Sequence, residues 1–145
     1  MTDAEVFGPI DFILLEFPDG DNLQGEVATE VLSLIEQGTI RLYDAVVVRK
    51  AADGTFSGVA LEDVGVDALG GFALFAGARS GLIGDQDIAD AAEAMEPGTV
   101  AALLVYENAW AVPFVAATRR AGGEVIASAR IPAQDIMEAL DALEA

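Results

Sequence analysis

The sequence predicts an α+β domain, and three patterns point to that class. Residues 10–17 and 99–107 are continuous apolar runs without alternation, which is typical of strands covered on both faces. Residues 23–35 repeat apolar side chains at helical spacing. Turn signals rich in Gly, Pro and Asp separate these segments. The 145 residues are predicted to form one domain, with enough chain for a substantial core.

The first half of the chain predicts the order strand, helix, strand, strand. The first strand covers residues 10–17, and Asp21 is a suitable N-cap for the helix that follows. The predicted buried stripe of that helix contains Leu23, Val27, Val31, Leu34 and Ile35. Residues 40–50 then form a strand, and a hairpin turn at residues 51–54 leads into a weaker strand over residues 55–61.

Residues 65–84 form a glycine-rich and otherwise apolar insertion. The segment contains too much glycine for a regular helix and is too apolar for a free linker. We expect it to pack, as a helix or a loop, against the sheet or a second subunit, with Phe72, Leu74 and Phe75 as candidate oligomer contacts. Insertion into a membrane is disfavoured by the charge of Arg79.

The second half of the chain begins with a predicted helix over residues 86–95, with Ile88, Ala91, Ala92 and Met95 facing inward. A strand follows at residues 99–107, and Asn108 is then predicted to cap the next helix with its side chain. Pro113 suits the first turn of that helix, because a missing N–H costs little there. Arg119 and Arg120 would lie in its last turn.

Two more elements are predicted near the C-terminus. Residues 124–131 alternate and predict a strand, which would complete a strand–helix–strand unit with a right-handed parallel crossover. Pro132 can open a last helix. The apolar face of that helix is predicted to carry Ile136, Leu140 and Leu143.

The first six elements fit a ferredoxin-like βαββαβ core, extended by a C-terminal αβα and carrying the glycine-rich insertion after the second hairpin strand. In that fold the first and third strands are central, and the two apolar runs at residues 10–17 and 99–107 are assigned those places. Both faces of the sheet then need cover, whereas the fold supplies helices on one face. The sequence therefore predicts a homo-oligomer.

The charge balance disfavours several classes of partner. Lys and Arg number 7 against 25 Asp and Glu, for a net charge of -18. A field of this sign repels nucleic acids and anionic membrane surfaces. The chain has no Cys and no His, which excludes thiolate chemistry and the commonest zinc ligands. Residues 1–7 are predicted to be flexible, and the acidic start lacks the order of a signal peptide, which predicts a cytoplasmic location.

The most polar and aromatic cluster contains Tyr106, Glu107, Asn108 and Trp110, at the end of a predicted strand. Ligands in α/β sheets often bind at such ends, and Glu107 could hold a cation or an amine there. The alternative interpretation is a capped helix with Trp110 packed on the core or at an interface. Asp44 interrupts another apolar strand, so it either faces solvent or is buried, paired and a candidate site residue.

No residues are predicted to be catalytic, cofactor-binding or metal-ligating. The glycines do not form a phosphate loop or a dinucleotide fingerprint, and Asp19 to Asn22 lack the pattern of a calcium loop. The first hypothesis is a non-enzymatic homo-oligomer with a structural or protein-interaction role. A small-molecule binding or catalytic module of the ferredoxin-like dimer type is the second. Peripheral membrane attachment through residues 65–84 is the third.

Four stretches carry a resemblance to a known family: GPIDFILLEFP, IRLYDAVVVRKAADG, EPGTVAALLVYENAWAVPF and RAGGEVIASARIP. Together they resemble an uncharacterised bacterial domain family of the actinobacterial type. That family is distantly similar to a larger family of unknown function with a glycine-zipper helical hairpin in the place of residues 65–84. The motifs of this resemblance are structural rather than chemical, and they bring no catalytic residues.

Overall fold

A computed structural model describes the protein at residues 6–18, 24–60 and 80–144. The strands of this part are β1 (Ile10–Pro18), β2 (Arg41–Lys50), β3 (Phe56–Ala60) and β4 (Thr99–Glu107). Its α-helices are α1 (Gln24–Glu36), α2 (Asp85–Ala94), α3 (Val112–Arg120) and α4 (Ala133–Glu144), and a 3-10 turn at Ala109–Ala111 precedes α3. The described strands form one antiparallel sheet in the order β1-β4-β2-β3. The α+β class is therefore confirmed.

The strand β4 lies in the middle of this sheet, as its apolar run predicted. It pairs with β1 along one edge and with β2 along the other. The side chains from Val100 to Leu104 are all buried, although they point alternately to the two faces. A strand covered on both faces needs apolar residues at every position, and this explains why the run has no alternation.

The strand β1 is not central, so this part of the ferredoxin-like prediction is wrong. In the described sheet β1 lies at an edge, and β4 lies between β1 and β2. The apolar run in β1 reflects two apolar faces rather than two neighbouring strands. One face carries Ile13, Leu15 and Phe17 beneath α1. On the other face, Phe12 is 69% exposed.

The helices α1 and α2 cover opposite faces of the sheet. Val47 and Ala102 pack in the cluster under α1, whereas the adjacent residues Val48 and Ala101 pack in the cluster under α2. Successive side chains of a strand point to opposite faces, so these neighbours assign the two helices to different layers. The ferredoxin-like expectation of helices on one face is therefore not met.

The helix α2 is attached to the sheet by apolar packing and by one cation. Ile88 and Met95 pack with Val48, as the helical spacing predicted. Lys50 Nζ on β2 donates hydrogen bonds to the carbonyl oxygens of Ala92 at 2.8 Å and Met95 at 3.0 Å. The last turn of α2 contains no basic residue. The cation at its negative end therefore comes from a neighbouring strand.

The helix α3 has the predicted start and end, but the strand predicted after it is not formed. Pro113 lies in its first turn, and Arg119 and Arg120 lie in its last turn. Residues 124–131 have no regular secondary structure, and Ile126 is 92% exposed. Alternation becomes a strand only beside a hydrogen-bonding neighbour, and no described strand pairs with this segment. The predicted parallel crossover is therefore absent from the described sheet.

The C-terminal helix α4 forms where the sequence predicted it. It has no buried residue. Its predicted apolar face carries Ile136, Leu140 and Leu143, and all three side chains are exposed. The segment 121–144 therefore extends from the domain as an exposed tail, which we call the C-terminal tail.

Two sequence predictions fall partly outside the described residues. The flexible N-terminus was predicted over residues 1–7, of which 1–5 lie outside, while Val6 is buried against α3. Of the glycine-rich insertion, residues 65–79 lie outside, and with them Phe72, Leu74 and Phe75. Residues 80–84 are described and lead directly into α2.

Candidate functional site

Glu107, the last residue of β4, is the largest completely buried side chain of the described residues, at 0% exposure. Its Oε2 accepts a hydrogen bond from the backbone N–H of Gly8 at 2.7 Å. Its Oε1 accepts one from the hydroxyl of Tyr43 at 2.5 Å and lies 3.4 Å from Nη1 of Arg41. A buried carboxylate needs such donors, because each unpaired oxygen would carry a desolvation cost. Glu107 thus joins the N-terminal segment, β2 and β4.

Tyr43 reaches Glu107 from a β-bulge in β2. Leu42 is paired with Tyr106 and Asp44 with Val105, so Tyr43 is the extra residue between two regular pairs. A β-bulge changes the direction in which a strand presents its side chains, and here it allows Tyr43 to contact Glu107. Burial, followed by the hydrogen bond to Glu107 and the charge of its carboxylate, raises the pKa of Tyr43 above its ordinary value.

The raised pKa of Tyr43 predicts a loss of stability in alkali. The folded state holds the phenolic proton more tightly than the unfolded state, so the free energy of unfolding falls as the pH rises above the ordinary value of about 10. Below that pH the contribution is fully present. The substitution Tyr43→Phe should remove this alkaline component, and it should also cost about 1.5–3 kcal/mol at neutral pH through the lost hydrogen bond to a charged group.

Phenolate absorbance can measure this titration directly, because the chain contains only 2 Tyr. The difference between the wild-type and Tyr43→Phe curves isolates Tyr43, and we expect its midpoint above about 10. The matched control is Tyr106→Phe, which should leave the Tyr43 transition in place. A difference curve centred at the ordinary tyrosine value would contradict the proposed environment of Tyr43.

Asn108 does not cap α3, so its predicted role is wrong. Its side chain makes no capping hydrogen bond. Instead, Nδ2 donates to the carbonyl oxygen of Pro9 at 2.8 Å and to Oδ2 of Asp11 at 2.9 Å. The side chain therefore secures the start of β1 against the end of β4. The sequence gives no indication of these partners, because they precede Asn108 by 99 and 97 residues.

Trp110 lies on the surface beside this junction. It is 57% exposed, and its ring is 5.8 Å from that of Phe114, which is also exposed. Its Nε1–H donates to Oδ1 of Asn108 at 3.3 Å. Exposed aromatic pairs are enriched at protein interfaces. This exposed position excludes packing of Trp110 on the core.

Tyr106 lies near the point where the C-terminal tail meets the sheet. Arg130 of the tail places Nη2 at 3.3 Å from Oδ2 of Asp11. Its interactions with Tyr106 and Asp11 raise the pKa of the Arg130 guanidinium above its already high ordinary value. The tail therefore contacts the sheet at the Ile10 end of β1.

Asp44 is buried, and its hydrogen bonds connect it to the segment before α2. Its Oδ2 accepts from the backbone N–H of Ile83 at 2.9 Å and from the hydroxyl of Ser80 at 3.4 Å. Its Oδ1 accepts from the backbone N–H of Ala45 at 3.0 Å. The solvent-facing alternative for Asp44 is therefore not the one adopted. Asp44 orients residues 80–83 towards the start of α2.

The predicted site residues form three separate groups, around Glu107, around Asn108 with Trp110 and Asp11, and around Asp44. The hydrogen bonds described for Glu107 and for Asp44 have no residue in common. An outside ligand at Glu107 would have to displace Gly8, Tyr43 or Arg41. Within the described ranges, no group of three or more acidic side chains is placed to hold a metal ion.

An apolar cleft lies between α2 and the β1–β4 half of the sheet, with a volume of about 400 Å³. Sequence reasoning did not identify it. Its apolar walls include Ile10, Phe12, Leu14, Leu103, Val105 and Ala91. Asp87 and Asp90 of α2 also line it. Such a lining accepts apolar side chains and keeps charged groups near the opening. The sequence signal for this cleft was the continuous apolar run of β1, which places apolar side chains on both faces of the strand.

Among the described residues, no helix has both the length and the apolar character that crossing a bilayer requires. Comparison with curated proteins and with solved structures found no match. The model of a family of unknown function, DUF6325, matches residues 6–145. This match covers nearly the whole chain, in agreement with the resemblance to an uncharacterised domain family. The chain belongs to the family of unknown function DUF6325.

Proposed function

We propose that this protein is a non-enzymatic homo-oligomer with a structural or protein-interaction role. The observation that carries the proposal is the exposed apolar stripe of α4. Leu143 is 81% exposed and Met137 is 58% exposed, and Ile136 and Leu140 lie beside them. A surface helix of a monomer normally buries such a stripe against its own core.

The length of α4 makes this exposure energetically important. The helix has 12 residues, and isolated helices of this length are marginal in water. Covering its four large apolar side chains would contribute on the order of 10 kcal/mol, before the entropic cost of ordering the helix. A covering surface therefore decides whether α4 persists in solution.

The charge of the chain determines how such an assembly should respond to salt. A net charge of -18 makes two copies repel each other. Glu138 lies on the opposite side of α4 from Leu140, so burial of the stripe leaves this carboxylate in water. Added salt screens the repulsion between copies and leaves apolar contacts intact. We expect the oligomer to tighten as the salt concentration rises.

Light scattering across a concentration series tests this proposal. The intact chain should exceed the 15.0 kDa of one copy, and its mass should rise with concentration. The substitution Leu140→Glu places a charge in the stripe, so it should shift the series to the mass of one copy. The matched control Ala142→Glu adds the same charge on the face of Glu138 and should keep the wild-type mass.

The two variants are also matched in the local charge repulsion that each new glutamate meets. Each new glutamate has an acidic residue four positions away, Glu144 for position 140 and Glu138 for position 142, so both carry a similar like-charge penalty. A wild-type chain that remains at the mass of one copy, at every concentration and at high salt, would overturn the proposal. Equal loss of mass in both variants would also contradict the role of the stripe.

A further inference from the structure

We infer that α4 of one copy occupies the apolar cleft of a second copy, and that the two copies exchange these helices reciprocally. This inference rests on the proposed homo-oligomer and names its contact surfaces. The starting point is the sheet face that carries α2. On that face α2 contacts β2 and β3. The β1–β4 half of the face borders the cleft, and Phe12 there is 69% exposed.

Among the described residues no helix lies across the β1–β4 half of this face, and its dimensions suit one helix. Neighbouring strands lie about 4.8 Å apart, so two strands offer a width of roughly 10 Å, close to the diameter of a helix with its side chains. The 12 residues of α4 span about 18 Å. The 9-residue strands β1 and β4 span about 30 Å, so the helix also fits in length.

The chemistry of the two surfaces matches as well. The stripe of α4 is apolar, and so is the lining that β1 and β4 give the cleft. Asp87 and Asp90 line the cleft from α2, so a helix with acidic residues towards the sheet would be repelled. In α4 the stripe at Leu140 faces away from Glu138. Docking through the stripe therefore keeps Glu138 away from Asp87 and Asp90, whereas Glu144, one turn from Leu140, lies at the edge of the stripe at the C-terminal end of the helix.

The area is adequate for a stable dimer. The four stripe side chains each offer on the order of 100 Å² of apolar surface, and the cleft offers a similar area. Two reciprocal contacts then bury roughly 1,500 Å² in total, whereas specific interfaces bury about 1,200–2,000 Å². A single contact would bury about half as much and would be typical of weak association.

The attachment of the C-terminal tail places α4 where exchange can occur. The pair of Arg130 and Asp11 holds the tail at the end of β1, and Asp11 itself lines the cleft. The helix begins three residues later, at Ala133, and within its own chain it leaves the stripe exposed. In a two-fold dimer the same patch of each copy faces its counterpart. Each tail would then start beside the cleft of the other copy.

Site-directed crosslinking tests the exchange, and the natural chain is suited to it because it contains no Cys. One full-length chain carries Ala94→Cys, at an exposed position that lines the cleft. A second chain, distinguished by an added tag, carries Ala139→Cys, one turn from Ile136 and Leu143 on α4. The two chains are mixed and treated with a bis-maleimide, and covalent products are identified by mass.

We expect the mixed product of the two chains to form at least ten times faster than the product with the control chain Ala142→Cys, whose thiol lies on the polar face. Adding Leu140→Glu to the Ala139→Cys chain should reduce the rate to the control level. If light scattering shows an oligomer but the mixed product forms no faster than the control, the exchange is overturned and the proposed oligomer still stands. If light scattering shows one copy only, both fail.

Docking of α4 into the cleft of its own chain would give a different result. A single chain with both Ala94→Cys and Ala139→Cys would then crosslink internally, at the mass of one copy and independently of dilution. The two single-cysteine chains would not join each other. That pair of results would overturn the exchange. It would also identify α4 as a cover for the cleft within one chain.

Discussion

Replacement of Glu107 by alanine should lower the free energy of unfolding by about 3–5 kcal/mol. The carboxylate is completely buried and accepts hydrogen bonds from Gly8 and Tyr43 while it pairs with Arg41. Its removal leaves a buried N–H and a hydroxyl without an acceptor, and it leaves a cavity at the end of β4. A domain of this size has about 5–15 kcal/mol of stability, so the variant is expected to be marginal.

Urea unfolding of three variants measures this effect. Glu107→Gln keeps the volume and one carbonyl acceptor, so its loss should be smaller, about 1–3 kcal/mol. Glu30→Ala removes an exposed carboxylate from α1 and should change the stability by less than about 0.5 kcal/mol. If Glu107→Ala were as stable as the Glu30→Ala control, the hydrogen-bond network of Glu107 would be refuted. If the proposed oligomer is found, its retention by Glu107→Gln would show that Glu107 acts on the fold and not on assembly.

Replacement of Gly8 by alanine should have a comparable effect through a different physical cause. A Cβ atom at this position would lie 2.1 Å from the backbone oxygen of Asn108, a distance that no rotamer change can relieve. Residues 6–9 would have to move away from α3. The hydrogen bond to Glu107 and the burial of Val6 would then be lost together. We expect a loss of about 3 kcal/mol, at the upper end for an overpacked site.

The matched control for this variant is Gly58→Ala on β3. The new Cβ would lie 2.7 Å from Cδ1, 3.1 Å from Cγ2 and 3.3 Å from Cγ1 of Ile88, so one side chain has to shift and no backbone atom is in the way. We expect a loss of about 1–2 kcal/mol, smaller than the loss at Gly8. Gly8 and Glu107 share a hydrogen bond, so the double variant Gly8→Ala with Glu107→Ala should lose less than the sum of the two. Full additivity would mean that the two residues act independently.

Hydrophobic patterns in the sequence predicted the layers of this fold better than its strand order. The run at residues 99–107 and the helical spacing of residues 27–35 each report how many faces of an element are covered. Neither pattern reports which strand lies alongside. The sequence therefore predicted β1 as a central strand, whereas the structure has β2 beside β4 in the middle of the described sheet. Residues 124–131 were predicted as a strand, although no described strand lies beside them to form hydrogen bonds.

The polar networks were beyond local sequence reasoning for a related reason. The sequence singled out Asp44 because it interrupts an apolar strand, and Glu107 because it lies in a polar and aromatic cluster at a strand end. Their partners are far away along the chain: 99 residues for Gly8, 64 for Tyr43 and 39 for Ile83. A backbone N–H donor has no signature in the sequence. Only the folded arrangement could therefore show that these carboxylates have donors.

The attachment of α2 by Lys50 has a chemical consequence. Lys50 is the only lysine of the chain, so side-chain amine chemistry is confined to one nitrogen. That nitrogen supplies the positive charge at the C-terminal end of α2. Acetylation there would remove the charge and leave a single amide N–H, so at most one of the two carbonyl oxygens would keep this donor. A single acyl group could in this way loosen the helix that forms one wall of the apolar cleft.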